Sequence, residues 1–335
     1  MESKFMRTMS MALGLALFLG FLAVSPAEGV SQTCSTRILA SNYKVASNVK
    51  YIFIGLRGSG ESLSDSQGFG APVKGLYDTL IATTPYRNMI CSTGPTLYQA
   101  YSVPDGTNSG AWNQYISSIY SVSGVLKNSV ANLMKHNPKV KILLAGYSQG
   151  AAIAHLTVSA LSSNSTYAKR ISLITIADPL ASASDRRVSG VDANWTTPSS
   201  DGILTIAIKH PELARSQYNG VIQALGLDNG LGAWASGIPV IVNTVTSNKS
   251  SISLVSDQDL MVKGVRVYPV CETGDAVCAP APAGFFDNLN LIPQKVNAGA
   301  LNGTWFNVGI HTSAYSGANT LWASNILKDL ITNKF

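Results

Sequence analysis

Charge is scarce in this sequence: Asp, Glu, Lys and Arg make up 13% of its 335 residues, while 46% are hydrophobic. A chain of that length and balance can bury a large core within one sizeable α/β domain. Its formal charge of +6 comes with no run of Lys or Arg, so it lacks the basic stripe of a nucleic-acid-binding surface. Cysteine is sparse, with four residues and no C-x-x-C pair, which leaves out a zinc knuckle. The Gly-rich stretch GLRGSGES, residues 55–62, meets neither the full Walker pattern nor G-x-G-x-x-G, so it is no nucleotide loop. No internal repeat or low-complexity tract stands out. Past the N-terminus, no window is apolar enough for long enough to suggest a membrane crossing.

The one long apolar run comes early. Lys4 and Arg7 precede an uncharged stretch from Met11 to Val24, and small residues follow it. This pattern predicts a secretory signal peptide over residues 1–29, cleaved after Ala27 or Gly29. The run is shorter than the roughly 20 residues of a bilayer span. Loss of residues 1–27, which carry Lys4, Arg7 and Glu2, lowers the formal charge to +5. What remains is expected to be a single secreted domain over residues 30–335, monomeric and without a transmembrane segment. Export into an oxidising compartment turns the four cysteines into two expected disulfides, for which the sequence alone permits three pairings.

Strand candidates are VKYIFIGL (Val49 to Leu56), VKILLAG (Val140 to Gly146), ISLITIA (Ile171 to Ala177), ILTIAI (Ile203 to Ile208) and VRVYPV (Val265 to Val270). Most are continuous apolar runs, as strands covered on both faces must be. Between the first two, Tyr115, Ile119, Val122, Leu126, Val130 and Leu133 recur at helical spacing, and Trp322, Ile326 and Leu330 repeat it near the C-terminus. Alternating strands and helices predict a three-layer α/β/α sandwich around a central, mostly parallel sheet. Two insertions interrupt it. Residues 181–264 read as loops around short apolar pieces, and residues 279–310, rich in Pro, Asn and Gly, read as a surface excursion.

GYSQG, residues 146–150, joins an apolar strand to a helix that begins with small residues. The two glycines remove side chains from a sharp strand-to-helix turn, which lifts the Ser148 hydroxyl out of the sheet. A serine hydroxyl is a weak nucleophile until a base activates it and an acid orients that base, here expected in the order Ser, Asp or Glu, His. His136 and His155 read as solvated helix-face residues, and His210 in KHPEL is a competitor. His311, ahead of the last helix, holds the expected place of the base. Asp275 in CETGDAVC is the expected acid, since a bridge between Cys271 and Cys278 would fix its direction; Asp178 in IADPL competes, with a turn role before Pro179 as its alternative. Developing negative charge would need two donors, one the backbone N–H of Gln149 and the other from the loop holding Gly58, Ser59 and Gly60.

IFIGLRGSGES, LLAGYSQGAA and CETGDAVC with a late H-x-x-x-Y together resemble the cutinase family of secreted serine esterases. The likeness spans about half the mature chain in the right order. It implies an α/β-hydrolase with Ser148 as nucleophile, Asp275 as acid, His311 as base, an oxyanion hole from Ser59 and Gln149, and bridges Cys34–Cys91 and Cys271–Cys278. It implies no cofactor and an ester as substrate: a cutin-like polyester, a short- to medium-chain acyl ester or a lipid. An acetyl esterase of polysaccharide and a cell-envelope lipid or mycolyl esterase are further possibilities within the class. A silent carbohydrate- or lipid-binding module on the same scaffold is the reading from another class. The chain departs from compact cutinases in its two insertions, the second of which lies among the thirty-five residues between Asp275 and His311. Phe285, Phe286 and Leu289, with Leu291 and Ile292, offer either an apolar wall for acyl chains or plain packing of a long loop. The sequons at Asn164, Asn194, Asn248 and Asn302 are surface acceptors in a eukaryotic host.

Overall fold

Two alternating sets of side chains along four strands determine how the layers assemble. A computed structural model of the chain describes residues 32–34, 39, 43–82, 86–94, 98–104, 108–183, 200–214, 232–248, 255–299, 305, 307–315 and 321–332, all within the compact unit Ser31–Phe335. The strands are β1 (Gln32–Thr33), β2 (Tyr51–Leu56), β3 (Ile90–Thr93), β4 (Lys141–Tyr147), β5 (Ile171–Ile176) and β6 (Arg266–Val270). They form one sheet in the order β1-β3-β2-β4-β5-β6, and every pairing is parallel.

Successive strand residues point to opposite faces. Ile52, Ile54, Leu56, Ile142, Leu144, Leu173 and Val267 enter one core, and Phe53, Leu143, Ala145, Ile174, Ile176 and Tyr268 enter the other. The first face is covered by α2 (Ser109–His136) and α3 (Gln149–Leu161), with α5 (Ile203–Lys209), α6 (Gly232–Asn248) and α7 (Asp257–Val262) on that side. The second face meets α1 (Ala71–Ala82) and the C-terminal helix α10 (Leu321–Thr332), through Val73, Leu76, Tyr77, Trp322, Ile326 and Leu330. Further short α-helices among the described residues are α4 (Ser165–Ala168), α8 (Ile292–Asn297) and α9 (Val308–Ser313). Asn108 starts α2 by accepting the Ala111 N–H on its side chain at 3.1 Å, a cap for one of the helix's unpaired donors.

The three-layer sandwich is therefore present, with corrections. ILTIAI is helix α5, not a strand; a short run that is apolar but for Thr205 has no period that separates the two. Two strands the hydrophobic pattern does not reveal, β1 and β3, extend the sheet on its β2 side, where Cys34 and Cys91 are bonded to each other. Among the described residues the first insertion holds the helices α5, α6 and α7 rather than loops around short pieces, and Ile241, Val242 and Val245 of α6 join the core shared with α2. The second is not simply a surface excursion, because Ala281, Phe285, Phe286, Leu289 and Ile292 are buried in that core. Among the described residues no helix is long and apolar enough to cross a membrane. The expected signal peptide and the sequons at Asn194 and Asn302 lie outside the described residues.

Candidate active site

β4 is central in the sheet and ends at Tyr147, so the chain must turn sharply into α3. Ser148 makes that turn at φ 52°, ψ −118°, a conformation that L-residues rarely adopt and that a surrounding framework must hold. Its N–H donates to the Ile176 carbonyl of β5 at 2.9 Å, and its own carbonyl accepts from Ala151 and Ala152. The flanking glycines are required by contact. A Cβ on Gly150 would lie 2.4 Å from the Leu56 carbonyl oxygen and 2.5 Å from that of Arg57, and one on Gly146 would lie 2.2 Å from the Gly150 oxygen. The turn is thus pressed against the backbone of the loop that leaves β2.

Asp275 lies in the turn after β6, inside the ring closed by the Cys271–Cys278 bridge. It is fully buried, and its Oδ1 accepts the N–H groups of Val277 at 2.6 Å and Cys278 at 3.2 Å. Asn307 bridges to the same turn through its N–H to the Gly274 carbonyl, and its side chain caps α9 by accepting from Ile310. That short helix carries His311. Nδ1 of His311 lies 3.2 and 3.1 Å from the two Asp275 oxygens, and Nε2 lies 3.0 Å from Ser148 Oγ. Facing a carboxylate, Nδ1 is the protonated nitrogen of the neutral ring, which leaves Nε2 to accept from the serine. The serine is 5% exposed and the histidine side chain 12%, so the hydroxyl sits at the floor of the site and the ring at its edge.

Tyr147 supports the ring from below. Its aromatic plane stacks on His311 at 5.2 Å and 21°, and its hydroxyl donates to the His311 carbonyl at 2.6 Å. Burial, followed by the nearby charges of Asp275 and Glu61, raises the Tyr147 pKa, so the phenol keeps its proton. The loop after β2 is equally tied down. Glu61 accepts from Gly58 N–H at 2.5 Å and from the Ala71 N–H at the start of α1 at 2.9 Å, while Arg57 donates to the carbonyls of Glu61 and Tyr98. Tyr98 in turn donates to the Gln149 side chain at 2.9 Å, and Ser59 shares a 2.7 Å hydrogen bond with the Tyr115 hydroxyl.

The competing residues have other partners. His210 faces Glu212 at 3.3 Å, and His136 faces its own helix. His155 is not a solvated helix-face residue: it is fully buried, with Nδ1 2.7 Å from Asp178 and Nε2 2.8 Å from the Val255 carbonyl. α3 is buried at every residue but Ala160, a burial that its sequence periodicity does not display. Asp178 also accepts from the Leu180 N–H, forming a turn ahead of the first insertion. Phe285 and Phe286 pack edge to face in the core with Leu289 also buried, the packing alternative rather than an open wall, whereas Leu291 is exposed. The roles of Tyr147, Tyr98 and Glu61 are not visible in sequence spacing, although Tyr147 stands inside GYSQG.

The family model for Lipase (class 3) matches residues 77–189, about a third of the chain, including Ser148 but neither Asp275 nor His311. A comparison with curated proteins finds no match. Among solved structures, the chain is similar to a cutinase-like protein from Cryptococcus sp., at 18% identity over 82% of this chain and 100% of that one, with a TM-score of 0.34. It is similar as well to the catalytic core domain of acetyl xylan esterase from Trichoderma reesei, at 15% identity over 76% and 97% of the two chains and a TM-score of 0.36. Lysin B from Mycobacteriophage D29 follows at 13% identity, covering 74% of this chain and 100% of that one, with a TM-score of 0.32.

By its parallel sheet, strained strand-to-helix turn and covering helices, the chain is an α/β-hydrolase. The lipase match across the segment that carries Ser148 makes it more narrowly a carboxylic ester hydrolase, and its motifs resemble those of cutinases.

Proposed function

We propose that the protein is a secreted serine esterase that cleaves carboxylic esters through an acyl-enzyme. The observation that carries this reading is the continuous hydrogen-bonded path from Ser148 Oγ through His311 to Asp275. Ser148 attacks the ester carbonyl while His311 Nε2 takes its proton. The tetrahedral oxyanion is held by the backbone N–H groups of Ser59 and Gln149, the latter at the first turn of α3, where negative charge is favoured. His311 then protonates the leaving alcohol, and water, activated by the same ring, releases the acid. Asp275 holds the ring's tautomer and balances the imidazolium that forms.

The substrate class is an ester of a short- to medium-chain acid, a polyester or a lipid. Two disulfides among the described residues support export to an oxidising compartment. The test uses wild type and Ser148→Ala with a fluorophosphonate probe and a series of aryl esters from acetyl to palmitoyl, plus a solid polyester. One adduct on Ser148 and loss of turnover in the variant are expected. An unmodified wild-type mass refutes the reading in favour of a binding module, and a sharp maximum at acetyl replaces the polyester and lipid substrates with an acetyl ester.

A further inference from the structure

Asp275 is held by more than His311. Its Oδ1 takes two backbone N–H groups, but its Oδ2, among the described residues, takes hydrogen bonds only from His311 Nδ1 and from the hydroxyl of Tyr315, the latter at 2.7 Å. Tyr315 is fully buried four residues beyond His311, just past the end of α9. Its hydroxyl oxygen accepts the Glu272 N–H at 2.9 Å, and its single proton is directed to the carboxylate. One phenol therefore links the start of the disulfide-closed turn to the carboxylate inside it.

We propose that Tyr315 is a positioning residue for the triad: its hydroxyl holds Oδ2 of the Asp275 carboxylate where it meets the ring of His311 and draws on the carboxylate's negative charge. The proposal rests on the catalytic reading above. The two Asp275 oxygens lie almost equally far from Nδ1, so the ring by itself does not select one rotation of the carboxylate. The backbone N–H groups of Val277 and Cys278 hold Oδ1, and the short, directional charge-assisted bond from the phenol holds Oδ2, so the carboxylate is fixed at both ends. Burial, and then the charge of Asp275, raise the Tyr315 pKa well above that of an ordinary phenol, so it remains a donor wherever the enzyme is folded and active. The other titratable groups facing this cluster are Glu272 in the same turn, His311 on α9 and Tyr147 on β4, with Glu61 acting on Tyr147 from the loop after β2.

Tyr315→Phe keeps the ring and removes only the hydroxyl. In kcat/KM profiles for a p-nitrophenyl ester, the acidic limb of the variant is expected to move up by about one pH unit, which is about a tenfold loss at pH 6. On the alkaline plateau the loss is expected to stay below about threefold, with KM unchanged. A merely structural role lowers the rate by one factor at every pH, and that result, or an unchanged profile, overturns the proposal. An independent readout is the low-field proton resonance of the Asp275–His311 hydrogen bond, recorded with and without Tyr315→Phe in the Ser148→Ala protein. Removal of the phenol strengthens the carboxylate as an acceptor and is expected to move the resonance further downfield; an unmoved resonance refutes the role. Turnover that survives Ser148→Ala defeats the esterase reading, whereas turnover abolished by that variant with an unmoved Tyr315→Phe profile defeats this inference alone.

Discussion

His155 is a buried cation, and the stability of the protein should reveal it. Both ring nitrogens face acceptors, Asp178 on one side and the Val255 carbonyl on the other, so both must carry protons. A second carboxylate, Asp257, lies 3.9 Å from Nε2. Burial pulls the imidazole pKa down, but the charge and hydrogen bond of Asp178, the charge of Asp257 and the Val255 carbonyl outweigh it and raise the pKa to about 10. In the unfolded chain the ring loses its proton near pH 6.5. Between these values the folded state holds one proton that the unfolded state does not, so stability is greatest below about pH 6.5 and falls by up to about 1.4 kcal/mol per pH unit above it. From pH 6 to pH 9 the loss is on the order of 3 kcal/mol. Buried tyrosines with raised pKa act in the same direction, but only above about pH 10, where unfolded phenols ionise. Urea unfolding at pH 6, 7, 8 and 9 measures the slope. Asp178→Asn removes the main partner charge and is expected to cost on the order of 3–5 kcal/mol at pH 6 and to flatten the slope by more than about half. A wild type of constant stability from pH 6 to 9, or a variant with the same slope as wild type, refutes the account.

Two further outcomes follow from the scaffold. Gly150→Ala places a Cβ against two backbone oxygens that cannot withdraw, so it should abolish turnover and lower stability by more than about 2 kcal/mol; a variant with wild-type rates shows that the turn is not so constrained. Replacing Cys34 and Cys91 together by Ser frees a 57-residue separation and is expected to cost about 4 kcal/mol by chain entropy, read by urea unfolding, while turnover at 25 °C persists because the bridge lies on the outer side of β3 rather than at the central strand; a cost below about 1 kcal/mol contradicts it.

What could be read from the sequence depended on how uniformly each segment is buried. β2, β4, β5 and β6 are flanked by other strands or covered by helices on both faces, so each is written as an apolar run with clear ends. ILTIAI has the same composition but packs as a helix within the first insertion, and only its tertiary neighbours distinguish the two. β3 contributes the four residues ICST, too short and polar to stand out, and α1 carries Pro72 and Gly75 in a pattern that does not announce a helix. Ser148, Asp275 and His311 were legible as a set because the first is marked by its glycines, the second by its cysteines and the third by its place before the last helix, and the fold brings all three into hydrogen-bond contact. Tyr147 and Tyr315 were not legible as supports. The spacing H-x-x-x-Y contributes to the resemblance, but a tyrosine beside a serine, or four residues after a histidine, names no partner until the chain has folded its ring or hydroxyl onto one. The burial of His155 is not legible because a helix buried at all but Ala160 offers no polar face against which to recognise a buried histidine.

The order in which the parts of the site occur along the chain has a bearing on synthesis. Ser148 is braced by backbone from residues 56–57 and 176, all made in the first half to two-thirds of translation, whereas the imidazole arrives on α9. α10 then joins Val73, Leu76 and Tyr77 of α1 across about three-quarters of the polypeptide's length. A nascent chain can therefore complete the strained turn at Ser148 before the imidazole that hydrogen-bonds to it has been made.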